Sequence, residues 1–294
     1  MTPSTKTWLQ LLRAPNLFTV PGDPLAGFLL ASGGKMNASV LLAIGASLAL
    51  YAAGLLLNDL CDLEEDRAER PKRPLPSGAA EPQLVRLVAI GLFVFGNALA
   101  LGLGLQAFFV ALGLTAAVVV YNMGAKRIPA VGALIMGLCR GLSLVLGAAA
   151  VHPPTLPLVL LAAGVLTFYI ACVTNLARYE THAAAPSWAK LLPPLPLAIG
   201  LIALIGRGGP GWHYPGPATY ALAFAIVVGE VAHLRRTPAP PLPPAIGRFI
   251  RVLLIMQAAL CLLHRPDAIA FLSALVLLAL WPVSQSVSRR FYAS

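Results

Sequence analysis

The sequence predicts an all-α fold, a polytopic membrane bundle of nine to ten transmembrane helices. Three observations carry that reading. Hydrophobic residues make up 58% of the 294 positions and charged residues only 11%, against about 25% charged in an ordinary soluble domain. The apolar residues fall in long runs, close to the roughly 17–25 residues a helix needs to cross a bilayer. The runs do not alternate with period two, so helices rather than barrel strands satisfy the backbone in hydrocarbon.

Taken in order, the runs place spans at 17–33, 38–57, 84–105, 107–123, 130–150, 156–175, 189–206, 217–235, 249–263 and 267–284. Pro21 and Pro24 kink the first. Lys6 and Arg13 precede it, but no small-residue cleavage site follows, so it reads as a retained span and not a leader. His264-Arg265-Pro266 separates the last two, as a turn or as a kink in one long element. The stretch Pro238–Pro244 reads as a stiff linker between spans eight and nine.

The charges set the orientation. Arg67, Arg70, Lys72, Arg73, Lys126, Arg127, Arg178, Lys190, Arg235, Arg236, Arg248 and Arg251 fall between even and odd spans. The opposite loops hold only Lys35, Arg207 and Arg265. This positive-inside pattern puts the N-terminus in the cytoplasm. The net charge of +10 is therefore topological, and no nucleic-acid partner is expected. Low Lys against Arg, with many Ala, Pro and Gly, suggests a GC-rich bacterial source and hence the inner (cell) membrane. Cys61, Cys139, Cys172 and Cys261 lack metal-ligand spacing and read as free thiols.

One segment carries the chemistry. Six of the eleven acidic residues lie between Asp59 and Glu69, directly after the apolar run ending at Leu57. On a helix Asp59, Asp62 and Asp66 share one face, with Asn58 beside them. Like charges at that spacing repel unless a cation intervenes. Mg²⁺ takes oxygen ligands and is typically held by one or two carboxylates plus substrate phosphates. Arg70, Lys72 and Arg73 follow at once, among Pro71, Pro74 and Pro76. Basic side chains beside a carboxylate-bound metal are what a diphosphate requires.

The stretch NDLCDLEEDRAERPKRPLPSG resembles the first motif of the UbiA superfamily of intramembrane prenyltransferases. Asn58, Asp59, Asp62 and Asp66 match its N-D-x-x-D-x-x-x-D, and Arg73 to Gly78 match its R-P-L-P-S-G tail. Asn16, Tyr121-Asn122-x-x-Ala125-Lys126-Arg127 and Gly137-x-x-Arg140-Gly141 are further similarities. They extend the resemblance over about residues 10–235 of what reads as one domain, 1–294. Within the superfamily the pattern looks most like the divergent EboC-type members. The resemblance implies nine spans around a central cavity and a polyprenyl diphosphate donor. It also implies Mg²⁺ as cofactor, held by Asp59, Asp62 and Asp66, and a lipophilic or aromatic acceptor. Asn58 joins these carboxylates in the implied catalytic set. Arg70, Arg73, Lys126, Arg178, Glu180, Asn16 and Arg140 are the implied substrate-binding residues.

The sequence departs from the superfamily after span six. A second D-x-x-x-D motif is expected there, yet Thr174 to His182 offers only Glu180. Arg178 is the candidate for the missing positive charge, since arginine binds phosphate bidentately. The other reading is a non-catalytic membrane protein that binds or moves an isoprenoid in an inherited pocket. Asp23 reads as a cap in a Pro-Gly-Asp-Pro break or as a functional group. Glu230 and His233 read as an interfacial ion cluster beside Arg235, and Asn97 and Gln257 as interhelical hydrogen-bonding residues.

Overall fold

The computed structural model describes residues 3–152, 156–180, 185–206, 215–238, 240–263 and 268–290. All regular structure among them is helical. The predicted first span, 17–33, is only partly helical: α1 (Thr5–Leu11) and α2 (Ala14–Leu17) lie ahead of it, and α3 (Gly22–Ser32) is the one helix within it. Ser4 caps α1 by accepting from the Thr7 amide at 3.2 Å. Arg13 then takes a left-handed backbone, φ 45°, that breaks the chain before α2. Pro21 opens α3, and Gly33 closes it at φ 67°. With eleven residues, α3 is about 16 Å long, roughly half the hydrocarbon thickness. It survives because it is buried inside the bundle: Ala26, Phe28, Leu29 and Leu30 are at most 1% exposed.

Nine helices among the described residues are long and apolar enough to cross a membrane. They are α4 (Ser39–Cys61), α6 (Pro82–Gly102), α7 (Leu105–Met123), α8 (Pro129–Ala149), α9 (Leu156–Ala177), the pair α10 (Ser187–Leu191) and α11 (Pro194–Gly206), α12 (Pro215–Leu234), α13 (Leu242–Cys261) and α14 (Ala268–Arg290). A seven-residue α5 (Leu63–Glu69) follows α4 outside the spans. With the broken first span, the ten expected elements are present. The linker before α13 is shorter than expected, because Pro243 and Pro244 fall in its first turn, where proline's fixed φ suits a helix start. His264-Arg265-Pro266 lies outside the described residues.

Two apolar clusters divide the bundle. One gathers α3, α8, α9, α11, α12, α14 and the heavily buried α13; the other joins α4, α7 and α8 with Phe28 of α3. Backbones touch where small residues allow it. A Cβ on Gly147 would lie 1.9 Å from the Pro24 carbonyl oxygen, and one on Gly27 1.9 Å from that of Leu144. Packing of this kind drives helix association in lipid, where burial of apolar surface drives little. Outward-facing Leu87, Val94, Phe109, Ile202 and Leu275 stay exposed, as a lipid-facing surface should. A third, small cluster pins the polar segment: Leu75 packs with Leu11, Leu56, Val85 and Ala89, tying the Arg73–Gly78 loop to α1, α4 and α6.

Asn97 donates to Thr115 Oγ1 at 2.9 Å between α6 and α7, as expected of an interhelical residue. Glu230 pairs with Arg248 of α13, at 2.6 and 2.5 Å, and not with Arg235. The four cysteines are free.

Candidate active site at the mouth of the central cavity

The chain folds around a cavity of about 260 Å³. Its walls come from the first span (Arg13, Asn16, Thr19), α4 (Ser47, Tyr51, Asn58), α7, α8, α9 and α13. Most of the lining is apolar, including Leu55, Leu114, Val118, Ile170, Ile246 and Leu253. Asn58 brings the end of α4, where the motif carboxylates lie, to the cavity.

There the motif carboxylates are each held by a cation. Arg13 Nη2 lies 3.2 Å from Asp59 Oδ1. Lys126 Nζ lies 2.5 Å from Asp62 Oδ1 and donates to Asn58 Oδ1 at 3.3 Å. Arg73 Nη1 donates to both Asp66 oxygens, at 3.0 and 2.7 Å, and Arg70 stands 3.9 Å from the same carboxylate. The helix-spaced repulsion expected from sequence is thus relieved by four basic side chains, Arg13, Lys126, Arg73 and Arg70. Lys126 arrives through Gly124, whose φ of 153° turns the chain out of α7 into a 3-10 turn, Ala125–Arg127.

Deeper in the bundle, Arg140 Nε sits 2.9 Å from the fully buried Asp23. Arg140 Nη2 and Gln257 Nε2 both donate to the Thr19 carbonyl at 2.8 Å, and Gln257 Nε2 also reaches Asp23 Oδ1 at 2.6 Å. This network ties α3, α8 and α13 together behind one cavity wall. It gives Asp23 a structural ion-pair role and leaves Arg140 in the lining as well.

Of the residues singled out from sequence, Asn58, Asn16 and Arg140 line the cavity. Asp59 meets it through Arg13, and Lys126, paired with Asp62 outside the lining, reaches it through its hydrogen bond to Asn58. Asp66 is buried with Arg73, just outside. The end of α9 approaches the same mouth, since Thr174 and Ala177 line the cavity with Asn58. Arg178 and Glu180 are exposed beyond it. Desolvation still raises the Glu180 carboxyl above the usual carboxylate range, and the nearby Arg70 charge opposes that rise. Thr181 and His182 lie outside the described residues. Sequence reasoning missed Arg13 as a site residue, together with Tyr51 and Asn122 in the wall. The one local signal for Arg13 was its place just before Ala14-Pro15-Asn16.

The donor set suits a hard cation only in part. No group of three His, Cys, Asp or Glu able to hold a metal forms among the described residues. Asp59 and Asp62 would supply two oxygen ligands, enough for one Mg²⁺ were phosphate oxygens and water to complete its shell.

A family model described as the UbiA prenyltransferase family matches residues 24–241. Over 270 residues the chain is 27% identical to digeranylgeranylglyceryl phosphate synthase of Methanopyrus kandleri, covering 90% of this chain and 89% of that one. The apo structure of a UbiA homolog from Aeropyrum pernix K1 superposes with a TM-score of 0.63 at 17% identity, covering 93% and 98% of the two chains. A UbiA homolog from Archaeoglobus fulgidus bound to GPP and Mg²⁺ gives 0.52 at 16%, covering 96% and 99%. These structural likenesses are of fold. With the family model spanning most of the chain and the motif carboxylates gathered at one cavity mouth, the chain belongs to the UbiA prenyltransferase family.

Proposed function

We propose that this prenyltransferase moves a prenyl group from a polyprenyl diphosphate to a hydroxyl of a glycerol-phosphate lipid, with Mg²⁺ as cofactor. The observation that carries the reading is the cavity with cations at its mouth. Arg13 and Lys126 stand where a diphosphate would lie, and the apolar walls behind them suit the prenyl chain. Asp59 and Asp62 would hold Mg²⁺, with Asn58 beside them; Asp66 would steady Arg73. The bound ion supplies charge neutralisation of the leaving diphosphate. Arg13 and Lys126 donate to its oxygens as negative charge builds. The allylic C–O bond breaks, the diphosphate keeps the electron pair, and the apolar wall keeps water from the cationic carbon. The acceptor oxygen then forms the new C–O bond and releases its proton.

The glycerol-phosphate acceptor is preferred over an aromatic one because the Methanopyrus kandleri relative bears the name digeranylgeranylglyceryl phosphate synthase. The loop charges favour a mouth on the cytoplasmic face, with the N-terminus on the same side. The test supplies purified protein with labelled geranylgeranyl diphosphate, Mg²⁺ and either a prenylated glycerol phosphate or an aromatic acid, and separates the lipid products. Label in an ether of the glycerol phosphate supports the assignment. Label in the aromatic product alone overturns the acceptor, and label in neither overturns the transfer.

A further inference from the structure

The mouth is electrically satisfied before any ligand arrives. Asp59 faces Arg13, Asp62 faces Lys126, and Asp66 faces Arg73 with Arg70 at 3.9 Å, three carboxylates against four cations. The Asp66–Arg73 pair is the most enclosed, with side chains 5% and 16% exposed, and its partners are seven residues apart. It serves the loop. The other two pairs are built differently. Arg13 comes from the break between α1 and α2, and Lys126 from the link between α7 and α8. Arg13 touches Asp59 through one nitrogen, while its side chain is 29% exposed and lines the cavity.

A divalent ion arriving alone must therefore displace a cation from its carboxylate. The displaced Arg13 or Lys126 would be left in a partly desolvated mouth without a counter-charge, which is costly. A diphosphate removes that obstacle. Its oxygens accept from Arg13 and Lys126, so the two cations move from carboxylate to phosphate. Asp59 and Asp62 would then be free to hold the metal.

Resting on the proposed diphosphate donor, we propose that Arg13 and Lys126 are resident counter-ions that guard Asp59 and Asp62, so that divalent metal and diphosphate load only together. Neither is simply an anion-binding residue. Each sets the order of assembly by occupying the metal's ligands until the substrate draws it away. One consequence is unusual for a binding residue: removing the charge strengthens binding of the metal by itself.

The test needs no turnover. Full-length protein in zwitterionic lipid nanodiscs is titrated with Mn²⁺, counted by electron paramagnetic resonance, with or without a prenyl S-thiodiphosphate that resists ionisation. In the wild type the analogue should tighten Mn²⁺ by about 100-fold, the size of two exchanged charge-assisted contacts. Lys126→Met should bind Mn²⁺ alone about tenfold tighter than wild type and bind the analogue about tenfold weaker. Arg13→Met should shift both in the same directions. Lys126→Arg should keep the coupled pattern, which shows that the mouth still folds. Equal Mn²⁺ affinity with and without the analogue in the wild type overturns the proposal while leaving the donor in place. So does a Lys126→Met protein that loses Mn²⁺ along with the analogue. A wild type that binds no analogue at any Mn²⁺ concentration overturns the donor assignment itself.

Discussion

Lys126 and Asp62 are 64 positions apart in the chain, yet they form the tightest polar contact at the cavity mouth. Such pairs decide what each residue does there. Asp62 is the central member of the metal-spaced row and is paired with Lys126. Glu230, also a carboxylate, is spent on Arg248 between α12 and α13. Asp62→Ala should therefore abolish Mg²⁺-dependent binding of a prenyl diphosphate, and Glu230→Ala should leave it near wild type. Isothermal titration of both variants checks this, and equal losses would point to general electrostatics. The two arginines flanking the mouth should also separate. Arg13 lines the cavity and bonds a motif carboxylate. Arg178 is exposed and shows no ion pair among the described residues. Arg13→Ala should weaken diphosphate binding by about 1.5–3 kcal/mol, the scale of a charge-assisted hydrogen bond. Arg178→Ala should cost less than about 1 kcal/mol, as exposed charges generally do. A larger loss for Arg178 would restore it as the cation standing in for the missing carboxylate pair.

At the scale of elements, the sequence made most helices legible and concealed how they meet. The long apolar runs at 38–57 and 130–150 became α4 and α8 within a few residues, because length and hydropathy in a bilayer are local properties. The first span was legible only in part. Pro21 and Pro24 were read as kinks in one crossing helix, but the helix starts only after Pro21, and burial inside the bundle lets an eleven-residue α3 persist. Asp23 was open between a backbone cap and a functional group, since its contacts with Arg140 and, across 234 positions, with Gln257 leave no spacing to read. Among the mouth residues, the Asn58–Asp66 row was legible because its members are near neighbours on one stretch of chain. Arg13 was not, because its partner Asp59 lies 46 residues away. Glycine contacts govern how α3 seats on α8. Gly147→Val should collide with the Pro24 backbone and lower stability by about 1–3 kcal/mol, the usual cost of overpacking. The Tm of the purified protein in detergent reads this out against Gly113→Val, where a Cβ meets nothing within 4 Å. Equal Tm values would show that the α3–α8 contact is loose.

At the scale of the whole molecule, one architecture joins two solvents. The bundle presents apolar side chains to lipid, encloses a largely apolar cavity, and carries the ion pairs of Asp59, Asp62 and Asp66 at one end. That arrangement suits a substrate with a long hydrocarbon chain and a highly charged head. The α9 side of the mouth contributes Thr174 and Ala177 to the lining, and the carboxylates proposed to hold the metal, Asp59 and Asp62, come from the end of α4. Release of diphosphate tests this most directly. Purified protein in nanodiscs is mixed with labelled geranylgeranyl diphosphate, Mg²⁺ and the prenylated glycerol phosphate, and free diphosphate is followed through a single turnover. The account predicts Mg²⁺-dependent release by the wild type, and release falling to the protein-free rate in Asp59→Asn and Asp62→Asn. Release that persists in both variants, or none from the wild type, would contradict it.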